Sequence, residues 1–280
     1  MFRSVFYPML KSKSLPGFFN LVRKTRYSAP ATFLTMGNCF GTISSIIQSD
    51  ERSDVPRSLS PYYDTLPDGA KMVKVKSVYD GDTVTLEKGN IKVRLLGVDA
   101  PELRENQAYA IEARDYITSH CLDLSKQAYT SCGKFDASQY NKRGLSQYNF
   151  ESSSGDKKDR YGRTLSYLWV EDKGRYLNLC EGLGINGLAS AYMINLKHPK
   201  LIDQQKYARE HKIGMWKYFQ DFGVIRTPNG TAFHQNSKCK YLSRSKVFIK
   251  TSAAKAMDDG LNPCRSCLPE IITRPAARPS

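Results

Sequence analysis

Residues 73–102 read Val73-Lys74-Val75-Lys76-Ser77-Val78-Tyr79-Asp80-Gly81-Asp82-Thr83-Val84-Thr85-Leu86-Glu87-Lys88-Gly89-Asn90-Ile91-Lys92-Val93-Arg94-Leu95-Leu96-Gly97-Val98-Asp99-Ala100-Pro101-Glu102. Val73 and Val75 alternate with Lys74 and Lys76, the period of a half-buried strand. Asp80-Gly81-Asp82 is a turn, Thr83–Leu86 a second strand, and Lys88-Gly89-Asn90 closes a hairpin. Ile91, Val93 and Leu95 alternate with Lys92 and Arg94 as a third strand. The stretch therefore predicts a β-meander whose turns carry acids.

Outward from it, Ala110, Ala113, Ile117 and Cys121 recur at helical spacing. Residues 132–158 are rich in Ser, Gly, Asn, Gln and Lys and read as a surface insertion. Thr164–Val170 and Arg175–Leu177 form a further hairpin. Leu179–Leu188 reads as a short helix weakened by Gly182, Gly184 and Gly187, and His198–Lys212 as a polar-faced helix. The main domain is placed at residues 71–222, with a polar, Pro-containing linker at 50–70. Residues 228–268 read as a small separate unit with a helix near Ser252–Asp259, followed by a loose tail at 269–280.

The chain has 280 residues, with 42 Lys plus Arg against 27 Asp plus Glu, a net charge of +15. That balance points to an anionic partner, nucleic acid first. With 40% hydrophobic residues, 17 Tyr and 12 Phe, a disordered chain is excluded. No uninterrupted apolar run reaches the roughly 18 residues of a spanning helix. Seven Cys are too few and scattered for a disulfide-stapled miniprotein. Residues 1–49 hold six Lys and Arg and no acid, the composition of a mitochondrial transit segment, with a merely disordered tail, membrane attachment or secretion as alternatives. Met36-Gly37-Asn38-Cys39 would be an acylation start if translation began there, but Gly41 stands where Ser or Thr is wanted.

Five charged residues gather at element ends: Asp82, Arg94, Asp99, Glu102 and Arg163. Paired carboxylates such as Asp82 and Asp99 can hold a hard divalent cation. Two guanidinium forks can clamp a phosphate, and Glu102 could activate a water.

These residues carry a resemblance. Val78–Val84, Arg94–Glu102, Asp159-Arg160-Tyr161-Gly162-Arg163, Gln107-Ala108-Tyr109 with Glu112-Ala113, and Gly214-Met215-Trp216 are similar to the staphylococcal nuclease family over about residues 71–219. The resemblance implies an α+β fold, a five-stranded OB-type β-barrel with three helices. It implies Ca2+ held by Asp82, Asp99 and the Ala100 carbonyl, where family members often have Thr. Glu102 takes the general-base role, Arg94 and Arg163 the phosphate-binding roles, and Tyr161 and Tyr192 lie beside the nucleotide. Ile194 replaces a second Tyr of the prototype. The implied activity is a Ca2+-dependent nuclease acting as a monomer on DNA and RNA with little base preference and leaving 3′-phosphates. The competing expectation is a catalytically silent OB-type binding or scaffold protein. Such proteins typically lose the carboxylates and arginines that are all present here.

His234 and Cys239 precede Cys264-Arg265-Ser266-Cys267. Three thiolates and an imidazole supply a closed tetrahedral Zn2+ shell, and metal is a sensible source of stability for so small a unit, the alternative being a redox pair or unrelated free thiols. A zinc deaminase is set aside, because Ala232-Phe233-His234-Gln235-Asn236 lacks the required Glu. An interaction protein using the zinc tail remains a third expectation. Cys180 reads as a core residue, and Cys121 with Cys132 could pair only in an oxidising compartment.

Overall fold

The computed structural model describes residues 54–123, 126–131, 158–193 and 198–268. The expectations for residues 1–49, for the insertion at 132–157, for Cys132 and Ile194, and for the tail at 269–280 lie outside the described residues.

The meander is present. Strands β2 (Lys71–Val73) and β3 (Val75–Asp80) are separated only by Lys74. β3 pairs antiparallel with β4 (Thr83–Leu86), and β4 with β5 (Lys92–Leu95). β5 runs parallel to the long strand β8 (Thr164–Asp172), which pairs with β7 (Ala128–Ser131), and β7 returns to β2. The ladder thus closes on itself as a five-stranded barrel, which removes free edges. Its interior holds Val75, Val84, Val93, Leu95, Leu168 and Val170, all buried.

β7 is the one barrel strand that the sequence pattern hides. It is half polar, yet its polar groups are satisfied inside: Trp169 Nε1 donates to Ser131 Oγ at 2.9 Å and Ser166 Oγ to the Ser131 carbonyl at 3.0 Å. The supposed linker is also structured. β1 (Tyr62–Tyr63) pairs with β9 (Arg175–Asn178), and Gln204 donates to the Leu59 carbonyl at 2.8 Å.

Three helices pack on the barrel: α1 (Ala110–Cys121), α2 (Leu179–Ile185) and α3 (Pro199–Glu210). α2 stops at Ile185, three residues short of the expectation, and is buried along its whole length. The Asn178 side chain caps it by accepting from the Cys180 and Glu181 N–H groups. Gly182 is there for close packing, since a Cβ would lie 2.0 Å from the Tyr116 hydroxyl of α1. Cys180 is fully buried, as a core residue should be, and burial pushes its thiol up to about 12.

The segment after residue 222 differs from the expectation of a separate unit beginning at 228. Its sheet starts at β11 (Gly223–Arg226), flanked by β12 (Ala232–His234) and β13 (Ile249–Ser252), with β14 (Asn262–Pro263) parallel to β12. The sheet and helix α4 (Ala253–Asp258) share one apolar core with Ala208, Met215 and Trp216 through Val224, Phe233, Ala253 and Met257. Arg209 of α3 pairs with Asp258 at 2.5 Å. The cause is area: a short sheet and one helical turn and a half cannot enclose Phe233 and Met257 unaided. Among the described residues, no helix is long and apolar enough to cross a membrane.

Candidate active site and metal centre

The turn between β3 and β4 positions the first acids. Gly81 presses against α1, and a Cβ there would lie 2.6 Å from Ala113 Cβ and 2.7 Å from Ala100 Cβ. That close approach buries Asp80 and Asp82 on either side of it. Asp80 Oδ1 accepts the Asp82 N–H at 3.1 Å and fixes the turn. Asp82 Oδ2 accepts the Ala100 N–H at 3.0 Å, binding the turn to the loop after β6 (Val98–Asp99), which pairs antiparallel with β10 (Ser190–Ala191).

Arg94 on β5 gathers the rest. Its Nη2 lies 2.8 Å from Asp82 Oδ2 and 2.9 Å from Asp99 Oδ1. Its Nη1 donates to the carbonyls of Leu95 and Val98, at 2.9 and 2.7 Å. The arginine read as a phosphate ligand is therefore buried, with both terminal nitrogens engaged by protein. Arg163 closes the other side. Asp159 accepts from its Nε at 2.7 Å and from its backbone N–H at 2.9 Å. Arg163 Nη1 donates to Thr83 Oγ1 at 3.2 Å, and Thr83 Oγ1 donates to Asp82 Oδ1 at 3.0 Å.

Acids outnumber the arginines that face them. Burial foremost, then the neighbouring Asp80 and Asp99, push the Asp82 carboxyl up to about 7 against the pull of Arg94. Glu102 sits exposed on the loop, its N–H donating to Gln107 Oε1 at 2.8 Å. Partial desolvation of the carboxyl foremost, then Asp80, Asp99 and Glu105, raise it above the ordinary value against the pull of Arg94. Oxygen donors from two converging carboxylates, with the buried Asp80 beside them, fit a hard divalent cation, which would take the place that Arg94 Nη2 fills between Asp82 and Asp99. Asp82, Asp99 and the Ala100 carbonyl are the residues that would hold it.

Around this centre stand the aromatics. Tyr161 is 67% exposed, with the guanidinium carbons of Arg160 and Arg163 at 4.7 and 5.5 Å from its ring centroid. Tyr192 is half-buried, its N–H donating to the Gly97 carbonyl at 2.8 Å. Three residues of the cluster escaped sequence reasoning as functional: Asp80, Thr83 and Arg265. Asp80 and Thr83 flank the turn that was read, and the buried Asp80 is a third carboxylate there. Nothing in linear spacing points to Arg265, whose Nη2 donates to both oxygens of Asp99 at 2.9 and 3.0 Å.

The four Cys/His residues come together as expected. The donor atoms of His234, Cys239, Cys264 and Cys267 all lie within 4.8 Å of one another. Cys239 and Cys264 sulfurs are 3.8 Å apart, and Cys267 Sγ is 3.7 Å from His234 Nδ1. Tetrahedral bonds of about 2.3 Å to sulfur place two thiolates about 3.8 Å apart. Burial lowers His234, favouring the neutral imidazole that a metal needs. Burial raises the Cys264 thiol, but N–H groups of Cys267 and Ser266 outweigh it and hold the net value below the ordinary one.

The closed five-stranded barrel thus brings acids and arginines together at one side. Comparison with known proteins identifies the family. Residues 92–218 match the family described as staphylococcal nuclease homologue. The thermonuclease of Staphylococcus intermedius is 33% identical over 152 residues, 51% of this chain and 74% of that protein. MJ1439 of Methanocaldococcus jannaschii, itself uncharacterized, is 29% identical over 153 residues, 52% of this chain and 71% of that protein. The SPbeta prophage-derived endonuclease YokF of Bacillus subtilis is 28% identical over 185 residues, 62% of this chain and 53% of that protein. The chain belongs to the staphylococcal nuclease family.

Proposed function

We propose that this protein is a Ca2+-dependent nuclease that hydrolyses DNA and RNA with little sequence preference and leaves 3′-phosphate ends. The observation that carries the reading is the convergence of Asp82 and Asp99 on one nitrogen of Arg94, with Glu102 and Arg163 beside them. A phosphodiester carries one negative charge, and attack by water adds a second. Bound Ca2+ supplies charge stabilisation to that developing dianion. Arg163 presents its fork to a phosphate oxygen, held in place by Asp159 and Thr83. Glu102 takes the proton of the attacking water. Arg94 keeps the two aspartates and the 95–99 loop in register. Tyr161 offers an exposed ring on which a base can stack without hydrogen-bond readout, which suits low sequence preference.

His234, Cys239, Cys264 and Cys267 hold a structural Zn2+ in this reading. Residues 1–49 act as a targeting segment, mitochondrial in the favoured version, on the strength of their acid-free basic composition. Cleavage of end-labelled single-stranded DNA and RNA tests the reading, with the product ends probed by phosphatase. Products that phosphatase does not shift, or cleavage confined to one sequence, contradict it.

A further inference from the structure

Arg265 lies between two of the four Cys/His donors, in Cys264-Arg265-Ser266-Cys267. The loop is held from several directions. The Cys264 N–H donates to the Phe233 carbonyl at 2.9 Å, and the N–H groups of Cys267 and Leu268 donate to the Cys264 carbonyl at 3.2 and 2.8 Å. The Met193 N–H donates to Asn262 Oδ1 at 3.0 Å, which ties β14 to the segment carrying Tyr192. From this loop Arg265 reaches back to Asp99 through Nη2, and its guanidinium carbon lies 5.3 Å from the Tyr192 ring centroid. Its side chain is 62% exposed, whereas that of Arg94 is 11% exposed.

We propose that Arg265 is a third phosphate-binding arginine of the nuclease site, delivered by the Cys/His loop, so that the C-terminal segment is part of the substrate-binding surface. The inference rests on the nuclease reading above. A guanidinium presents five donors in a planar fork. Asp99 occupies one nitrogen of this one, and Tyr192 supports its face, so Nε and Nη1 can serve a phosphate oxygen of the polynucleotide backbone. Arg94 has both terminal nitrogens turned into protein, which makes Arg265 the most exposed guanidinium touching the acidic centre. Its placement depends on the four donors that shape the loop, which links metal binding in the tail to substrate binding in the barrel.

The test compares the wild-type protein with Arg265→Ala, Arg265→Lys and, as a control of equal charge loss on the exposed turn between β4 and β5, Lys88→Ala. Zinc content and thermal midpoint are read for each. On single-stranded DNA, Arg265→Ala should lose on the order of 10- to 100-fold in kcat/KM, the scale of removing one charge-assisted contact. The slope of log binding constant against log salt, measured in chelator, should become shallower by about 0.7, the single-strand value for one phosphate contact. Arg265→Lys should keep the salt slope and recover only part of the rate. Lys88→Ala should match wild type. An Arg265→Ala variant as active as wild type, or more active because Arg265 was blocking Asp99, overturns the proposal, as does a lysine variant no better than alanine in both readouts. If the wild type itself does not cleave, the nuclease reading fails. The salt slope in chelator still reports the arginine, and an unchanged slope in Arg265→Ala overturns its assignment.

Discussion

Arg163 and Thr83, 80 positions apart, are joined by a 3.2 Å hydrogen bond from Nη1 to Oγ1, and the same hydroxyl donates to Asp82 Oδ1 at 3.0 Å. One small side chain thus couples Arg163 to the acidic centre. Thr83→Val preserves the shape and removes both bonds. The hydroxyl is buried, and its partners lose one charge-assisted bond each. The expected result is a fall of about tenfold in kcat, with the thermal midpoint lowered by a few degrees because buried partners lose a bond. Steady-state kinetics beside calorimetry checks it, and an unaltered kcat means that the bond plays no part in turnover.

Arg163→Lys should be severe. An ammonium cannot donate to Asp159, Thr83 and a phosphate in the geometry of a planar fork. A loss of at least about 10²-fold in kcat is expected, the scale of removing one transition-state donor. A lysine variant that keeps most of its turnover would show Arg163 to be structural.

Stability should fall as the pH drops below neutrality, and His198 is a defined cause. The imidazole is buried, with Nδ1 accepting the Leu201 N–H at 3.2 Å as the cap of α3. Burial foremost lowers it from 6.5 to about 4, although Glu181 pulls the other way. Between those values the unfolded chain binds a proton that the folded chain does not, so stability present above about 6.5 is lost as the pH falls towards about 4. The full loss is about 3 kcal/mol for this group. Urea unfolding from pH 7.5 to 4.5 measures it. The wild-type curve should fall more steeply than that of His198→Gln, and parallel curves would refute the assignment.

The C-terminal segment should not be separable. Truncation after residue 222 uncovers Met215 and Trp216, which are buried against Phe233, Ala253 and Met257. It also strips Arg209 of Asp258. The truncated chain should melt lower than the full chain and bind more apolar dye. Elemental analysis of the full chain should find about one zinc per molecule, and Cys264→Ser should lose it. Because the core is shared, that variant should lower the melting temperature of the whole described body. A full-length melt unchanged by Cys264→Ser, or a wild-type chain without zinc, contradicts this.

Much of this was legible in one dimension, for a physical reason. Val73 to Leu95 alternate because one face of a barrel strand is buried. Asp82, Arg94 and Asp99 stand out because a charge inside such a pattern needs a partner. The four Cys/His donors announce themselves by residue type and short spacing. What stayed hidden is long-range packing. β7 looks polar, and only the fold shows that the Ser131 hydroxyl accepts from Trp169 and the Ser131 carbonyl from Ser166. The tail's attachment depends on Trp216 and Met257 meeting across a shared core. Arg265 reaches Asp99 across 166 positions, and no local pattern encodes that contact.

The most direct test of the central claim is cleavage of single-stranded DNA by the purified chain, in Ca2+ and in excess chelator, beside Asp82→Ala and Asp99→Ala. Wild type should cleave in Ca2+, stop in chelator and resume when Ca2+ is restored. Mg2+ should substitute poorly because it demands tighter octahedral geometry and releases its waters reluctantly. Both variants should fold and fail to cleave at any Ca2+ concentration that saturates wild type. Full activity of wild type in chelator, or of either aspartate variant, would contradict the account.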